Sequence, residues 1–152
     1  MELQFVRKSP GFAVGAFGPL VVSVWDASPS EEHVRHAGSV LTTVARVEKK
    51  MLVMAVVGRD TPPPDAIVRD LLAKDMARVG PNIAGMAQVI EGLGFRAATM
   101  RAVLTGMGFV IKPGYPQKVC PTVDEASEFL FSHAENRLTA QNIARAVRQL
   151  RE

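Results

Sequence analysis

The segment Met51–Val57 most constrains the fold, because it reads MLVMAVV and contains no polar residue. A strand that is apolar at every position is typical of a sheet covered by other elements on both faces. It is followed by the turn Gly58-Arg59-Asp60-Thr61 and then by Pro62-Pro63-Pro64-Asp65, a pattern that opens a helix. We therefore expect a central, buried strand in an α/β domain.

The rest of the chain predicts strands before this segment and alternating strands and helices after it. Strands are expected over 3–7, 12–17, 19–25, 83–90 and 117–120. Ser28 with Glu31 and Thr122 with Glu125 form capping-box patterns that predict two helix starts. The first of these helices should end near Lys49-Lys50 and bury Val34, Ala37, Leu41, Val44 and Val47.

This order of elements predicts a fold of the α/β class. We expect a single domain with a mixed, mostly parallel sheet of five or six strands flanked by helices. Residues 1–136 should form the α/β domain, and residues 137–152 should add an amphipathic helix that belongs to the same unit.

The added C-terminal helix, expected over 139–151, carries an apolar stripe and a cationic face. An isolated helix of this length is marginal in water, so its own domain, a second copy of the chain or another protein must cover the stripe. All three alternatives stay open, and the cationic face would suit an acidic surface. The candidate interface residues are Ile143, Arg145, Val147, Arg148 and Leu150.

Composition excludes several functional classes. The formal net charge is +3, from 18 Lys and Arg against 15 Asp and Glu, and the few aromatic residues do not interleave with the arginines, so no nucleic-acid partner is expected. No apolar run approaches the ~18–20 residues of a membrane span. The N-terminus lacks the residue order of a signal peptide. The single cysteine, Cys120, fits a reducing compartment, so the predicted location is the cytoplasm.

The chain offers little for catalysis or cofactor binding. Residues 92–97 match G-x-G-x-x-A, but the next strand ends without an acidic residue for a ribose, which favours a tight turn over a dinucleotide site. No histidine is placed by its spacing to act as a base for Cys120, so a structural cysteine is favoured. His33 and His36 lack a third metal ligand at matching spacing and are expected on the surface. We therefore predict no enzyme activity, catalytic residue, metal or cofactor.

The order of elements resembles the STAS family, the small α/β domains typified by anti-sigma-factor antagonists, and especially divergent bacterial members that approach the CRAL-TRIO lipid-binding fold. The resemblance rests on Met51–Val57 with its Gly58-Arg59-Asp60 turn, on Ile83–Ile90, on the helix expected over 95–107 and on the ending 119–130, with its D-E-A-x-x-x-L form. It covers roughly residues 19–131.

The resemblance implies a non-enzymatic protein-interaction and regulatory module. Such antagonists carry a phosphorylatable Ser or Thr where the helix after the central strand begins. Arg59, Asp60 and Thr61 occupy that loop here, which makes it a candidate regulatory or recognition loop. The alternative is a rigid helix start with Thr61 as its cap. Three prolines replace the rest of the family pattern. The alternative function is binding of a small apolar or anionic ligand between sheet and helices, with methionines 86, 100 and 107 as lining residues. The expected partner is another protein, and a homodimer is a further option.

Overall fold

The computed structural model describes residues 2–92, 94, 97–102, 114–135 and 137–152 of the chain. One six-stranded sheet has its strands in sequence order: β1 (Gln4–Ser9), β2 (Phe12–Phe17), β3 (Leu20–Trp25), β4 (Met51–Val57), β5 (Ile83–Ile90) and β6 (Gln117–Cys120). β1, β2 and β3 pair antiparallel, whereas β3 to β6 pair parallel. The predicted α/β class with a mixed, mostly parallel sheet is confirmed.

Helices connect the parallel strands and follow the last one. They are α1 (Glu31–Ala45), α2 (Ala66–Val79), a helical segment over 97–102 (α3), α4 (Val123–Phe131) and α5 (Ala140–Arg151). The first N–H groups of a helix have no partner inside it, so side-chain oxygens that accept from them mark the helix start. The caps of α1, α2, α4 and α5 are Ser30, Asp65, Thr122 and Thr139, each accepting from the N–H three residues later.

Helix α1 is shorter than predicted at both ends. Its cap is Ser30, so the predicted cap at Ser28 is wrong. With Ser30 as cap, the residue three positions on is His33, whose Nδ1 accepts from the Ser30 N–H at 3.4 Å and completes a capping box. At the other end the carbonyl of Ala45 accepts from Asn82 Nδ2 at 3.3 Å. Val47, predicted to be buried, lies beyond the helix and is 79% exposed.

Side chains alternate across the sheet and build two cores. On one face Val21, Val53 and their neighbours pack under α1 and α2. On the other face Val22, Met54 and their neighbours pack under α4 and α5. Because β4 contributes to both cores, the predicted central strand covered on both faces is confirmed.

Strand β1 is an exposed edge interrupted by a bulge. Its pairing with β2 shifts between Gln4 and Arg7, so that Phe5 and Val6 together stand opposite Gly15. Phe5 has φ +56°, and both it and Val6 are largely exposed. A bulge twists an edge strand away from regular pairing with further strands.

Helix α5 packs on its own domain, against β2, β3 and α4. Ile143, Val147 and Leu150 are at most 2% exposed. Gly15 leaves room for this contact, since a Cβ at that position would lie 3.3 Å from Leu150 Cδ1. Of the three ways to cover the apolar stripe, the structure therefore shows docking on the chain's own sheet. Within the described ranges, no helix is long and apolar enough to cross a membrane.

Candidate functional site

The loop after β4, predicted as a recognition element, is tied to the end of β3. Thr61 Oγ1 donates to the Trp25 carbonyl at 2.6 Å, and the Gly58 N–H donates to the same oxygen at 2.9 Å. Thr61 is only 4% exposed. Its hydroxyl is therefore a structural link in this conformation, and a kinase would reach it only if the loop opened. Thr61 was a candidate cap for α2, but Asp65 occupies the cap position, and its carboxylate accepts from the Val68 N–H.

The same loop keeps two polar side chains in solvent. Arg59 and Asp60 are exposed. Asp26, which follows β3, lies so close to Gly58 that a Cβ there would overlap its carboxylate. Glycine is thus required for the loop to approach the end of β3. Of the three predicted loop residues, Arg59 and Asp60 can meet a partner directly and Thr61 cannot.

Two arginine–glutamate pairs hold the ends of the α5 region. Before the helix, Arg137 Nη1 and Nη2 lie 2.5 and 3.1 Å from the two carboxylate oxygens of Glu48, in the loop after α1. This hydrogen bonding lowers the pKa of Glu48 below its ordinary value. At the helix end, Arg151 makes a similar two-pronged contact with Glu91, which follows β5. Bidentate pairs of this kind add geometric specificity, so α5 is fixed in orientation as well as docked.

The outer face of α5 remains in solvent. Arg145 and Arg148, one helical turn apart, are both exposed. Neither forms an ion pair with any of the residues that the structure describes. The five predicted interface residues thus divide into two sets, with the three apolar ones in the core and the two arginines outside.

Cys120 and His33 occupy structural positions. Cys120 is fully buried, and burial raises the pKa of its thiol, as expected for a structural cysteine. The prediction of a surface site was wrong for His33, which is 8% exposed and stacks on Phe12 with ring centroids 4.8 Å apart. His36 is half-buried, and its Nε2 lies 3.5 Å from Glu32. Among the described residues, no group of three or more His, Cys, Asp and Glu side chains could hold a metal ion.

The glycine-rich segment after β5 is described only in part. Gly92 and Gly94 have φ near +110°, a conformation that side chains disfavour, and helix α3 is seen from residue 97. Residues 93, 95 and 96 lie outside the described residues. Of the three methionines predicted to line a ligand pocket, Met86 is 7% exposed in the core beneath α1 and α2, and Met100 is half-buried on α3. Met107 is outside the described residues.

Sequence reasoning missed a surface groove between α1 and α2. The groove has a volume of about 480 Å³, and its lining includes Arg35, Arg46 and Arg78. The signal that could have revealed it is Gly38 in the middle of α1. A Cβ there would lie 2.8 Å from Asp75 Oδ2 of α2, so the glycine lets the two helices approach closely.

Comparison of the chain with models of protein families, with curated proteins and with solved structures found no match.

Proposed function

We propose that this protein is a non-enzymatic, STAS-like interaction module of the cytoplasm, which binds an acidic surface of another protein through the outer face of α5. The observation that carries the proposal is the pair Arg145 and Arg148, exposed on a helix whose apolar face is buried in the core. Regulation would follow from occupancy of this face by the partner.

The fixed position of α5 favours binding, because ordering flexible groups at an interface costs entropy and so reduces affinity. The buried stripe and the two arginine–glutamate pairs position the α5 backbone before any partner arrives. Only the two arginine side chains must then lose freedom on binding, which keeps the entropic cost of association small. Charges at such a surface mainly speed association and select the partner's orientation.

A different protein suits this face better than a second copy of the chain. In a two-fold symmetric dimer each surface meets its own copy, so a contact centred on α5 would bring the arginines of one chain near those of the other. Such like-charge contacts are unfavourable. An acidic heterologous surface would instead satisfy both guanidinium groups.

The test is affinity capture from extract of the source cells, with the partner identified by quantitative mass spectrometry. The variant Arg145→Glu/Arg148→Glu should lose the partner, whereas Arg69→Glu, an exposed arginine on α2, should keep it. The purified partner should then associate more slowly as salt is raised, because screening weakens electrostatic steering. Equal recovery of all partners by the α5 variant would refute the proposal.

A further inference from the structure

The groove between α1 and α2 lies on the opposite face of the sheet from α5, so it is a separate surface. Three arginines line it, and Asp75 is the single acidic residue among the lining residues. The Asp75 carboxylate is already engaged, since Arg78 Nη1 donates to its Oδ1 at 2.7 Å. The remaining charge of the groove is therefore cationic.

Arg78 is held in place for a further interaction. Its Nη2 donates to Thr42 Oγ1 of α1 at 3.0 Å, in addition to the contact with Asp75. A guanidinium has five N–H donors, so these two bonds leave others free. Arg46 is four residues beyond Thr42 and on the same side of α1, which brings a second guanidinium toward the same end of the groove.

Helix C-termini attract cations, and this offers a simpler explanation for Arg46 and Arg78, which lie at the ends of α1 and α2. It does not explain Arg35, which lies in the N-terminal half of α1, far from the end where the helix dipole stabilises a cation. The only ion pair of Arg35 within the described residues, with Glu31 at 3.9 Å, is long and highly exposed. Such pairs contribute little.

The spacing of the arginines indicates the shape of a ligand. Arg35 precedes Arg46 by eleven residues, which corresponds to about 16 Å along a helix. One phosphate group can contact the Arg46 and Arg78 end but cannot also reach Arg35. A ligand with several anionic groups along its length can contact all three arginines, and the groove volume of about 480 Å³ is within the range of small-molecule sites.

We propose that the α1–α2 groove binds an elongated small molecule carrying two or more phosphate groups. Arg46 and Arg78 hold one end, and Arg35 holds the other. Ser39 is an exposed residue that lines the groove between Arg35 and Thr42, and its hydroxyl can donate to a ligand oxygen between the two ends. This site goes beyond the α5 interaction and does not depend on it.

The test is isothermal titration calorimetry of the full chain with phosphate, pyrophosphate and tripolyphosphate at one ionic strength. Affinity should rise along this series. Loss of one charge-assisted contact should weaken tripolyphosphate binding about tenfold in Arg35→Gln and in Arg46→Gln. Arg78 is left unchanged in this test because it also binds Asp75.

Two control variants separate a specific site from general attraction of anions. Arg69→Gln removes a charge from α2 outside the groove, and Arg145→Gln/Arg148→Gln removes two charges from α5. Both should bind tripolyphosphate as the unaltered protein does. Equal weakening by a control, no binding, or equal affinity along the series would overturn the proposal. Tighter binding of a poly-glutamate peptide with the same dependence on Arg35 and Arg46 would reassign the groove to an acidic protein segment. None of these results bears on partner capture by α5.

Discussion

The substitution Ile143→Ala tests whether α5 is part of the folded domain. Ile143 is fully buried in the core beneath α4 and α5. The change removes three side-chain carbons, which at ~0.8 kcal/mol each amounts to about 2.4 kcal/mol of lost apolar burial. Incomplete collapse of the resulting cavity adds to this, within the range of about 2–5 kcal/mol seen for such changes. We expect the free energy of unfolding to fall by about 3 kcal/mol, a large share of the ~5–15 kcal/mol typical of a domain.

The fluorescence of Trp25 provides the assay, because it is the single tryptophan and packs on the other face of the sheet, beneath α1. If α5 and the sheet unfold together, urea unfolding followed by Trp25 should shift to lower urea, in step with circular dichroism. The matched control is Arg148→Ala, on the exposed face of the same helix, which should change stability by no more than about 0.5 kcal/mol.

Separate unfolding of α5 would contradict this reasoning. If the Trp25 transition of Ile143→Ala is unchanged while circular dichroism shows separate loss of a helix at low urea, α5 folds independently of the sheet. Residues 137–152 would then not belong to the same unit as the domain, and the rigid interaction surface proposed for α5 would be refuted.

Three further predictions concern the opposite face of the sheet and the loop beside it. Val53→Asp should prevent folding, because an unpaired carboxylate in the core costs several kcal/mol; a soluble variant with a cooperative urea transition would contradict this. Thr61→Val should lower the free energy of unfolding by about 0.5–1.5 kcal/mol, because it removes one of the two hydrogen bonds to the buried Trp25 carbonyl; an unchanged urea midpoint would contradict this. Burial lowers the pKa of His33, so the unfolded chain binds this proton more tightly and stability should fall as pH drops below 6.5. His33→Gln, which keeps a capping acceptor at that position, should reduce this loss between pH 7.5 and 5.5 in urea titrations, and an identical pH dependence would count against the assignment.

The sheet was predictable because its signals are local. β2, β4, β5 and β6 begin and end where alternation, apolar runs and turn residues predict. The cap at Thr122 was predicted correctly for the same reason, since its oxygen needs only the N–H of Glu125. Hydrophobic periodicity and capping act over a few residues, so one sequence is enough to recognise them.

The predictions for the start of α1 and the burial of His33 were wrong because tertiary contacts determine both. Ser28 and Ser30 both offer a capping oxygen, and local sequence favours Ser28 because Glu31 follows it at capping-box spacing. The structure uses Ser30, and with that start His33 serves both as capping partner and as a ring stacked on Phe12 of β2. That ring contact joins residues far apart in the sequence, so neither the helix start nor the burial of His33 follows from local pattern.

In the candidate sites, too, local features were predicted and long-range contacts were not. The apolar stripe of α5 was visible in the sequence, but the surface that covers it was not. That surface consists of Gly15 and its neighbours on β2 and β3, which lie more than a hundred residues earlier in the chain. The groove was missed because Arg78 of α2 lines it together with Arg35 and Arg46 of α1 only where Gly38 lets the two helices approach closely. The spacing of residues within one helix cannot reveal a surface that two helices form together.

The net charge of the chain did not reveal either cationic surface, because it sums charges over surfaces with different roles. Glu48, Glu91 and Asp75 each pair with an arginine at a structural contact, and these pairs add nothing to the formal net charge of +3. The cations that the two proposals invoke lie on opposite faces of the sheet, and Arg78 is one of them although it also pairs with Asp75. Substitutions on separated surfaces without shared partners usually add in their effects. The α5 arginines and the groove arginines should therefore be separable by mutation. Coupling between partner capture and phosphate binding would mean that the sheet transmits a change from one face to the other.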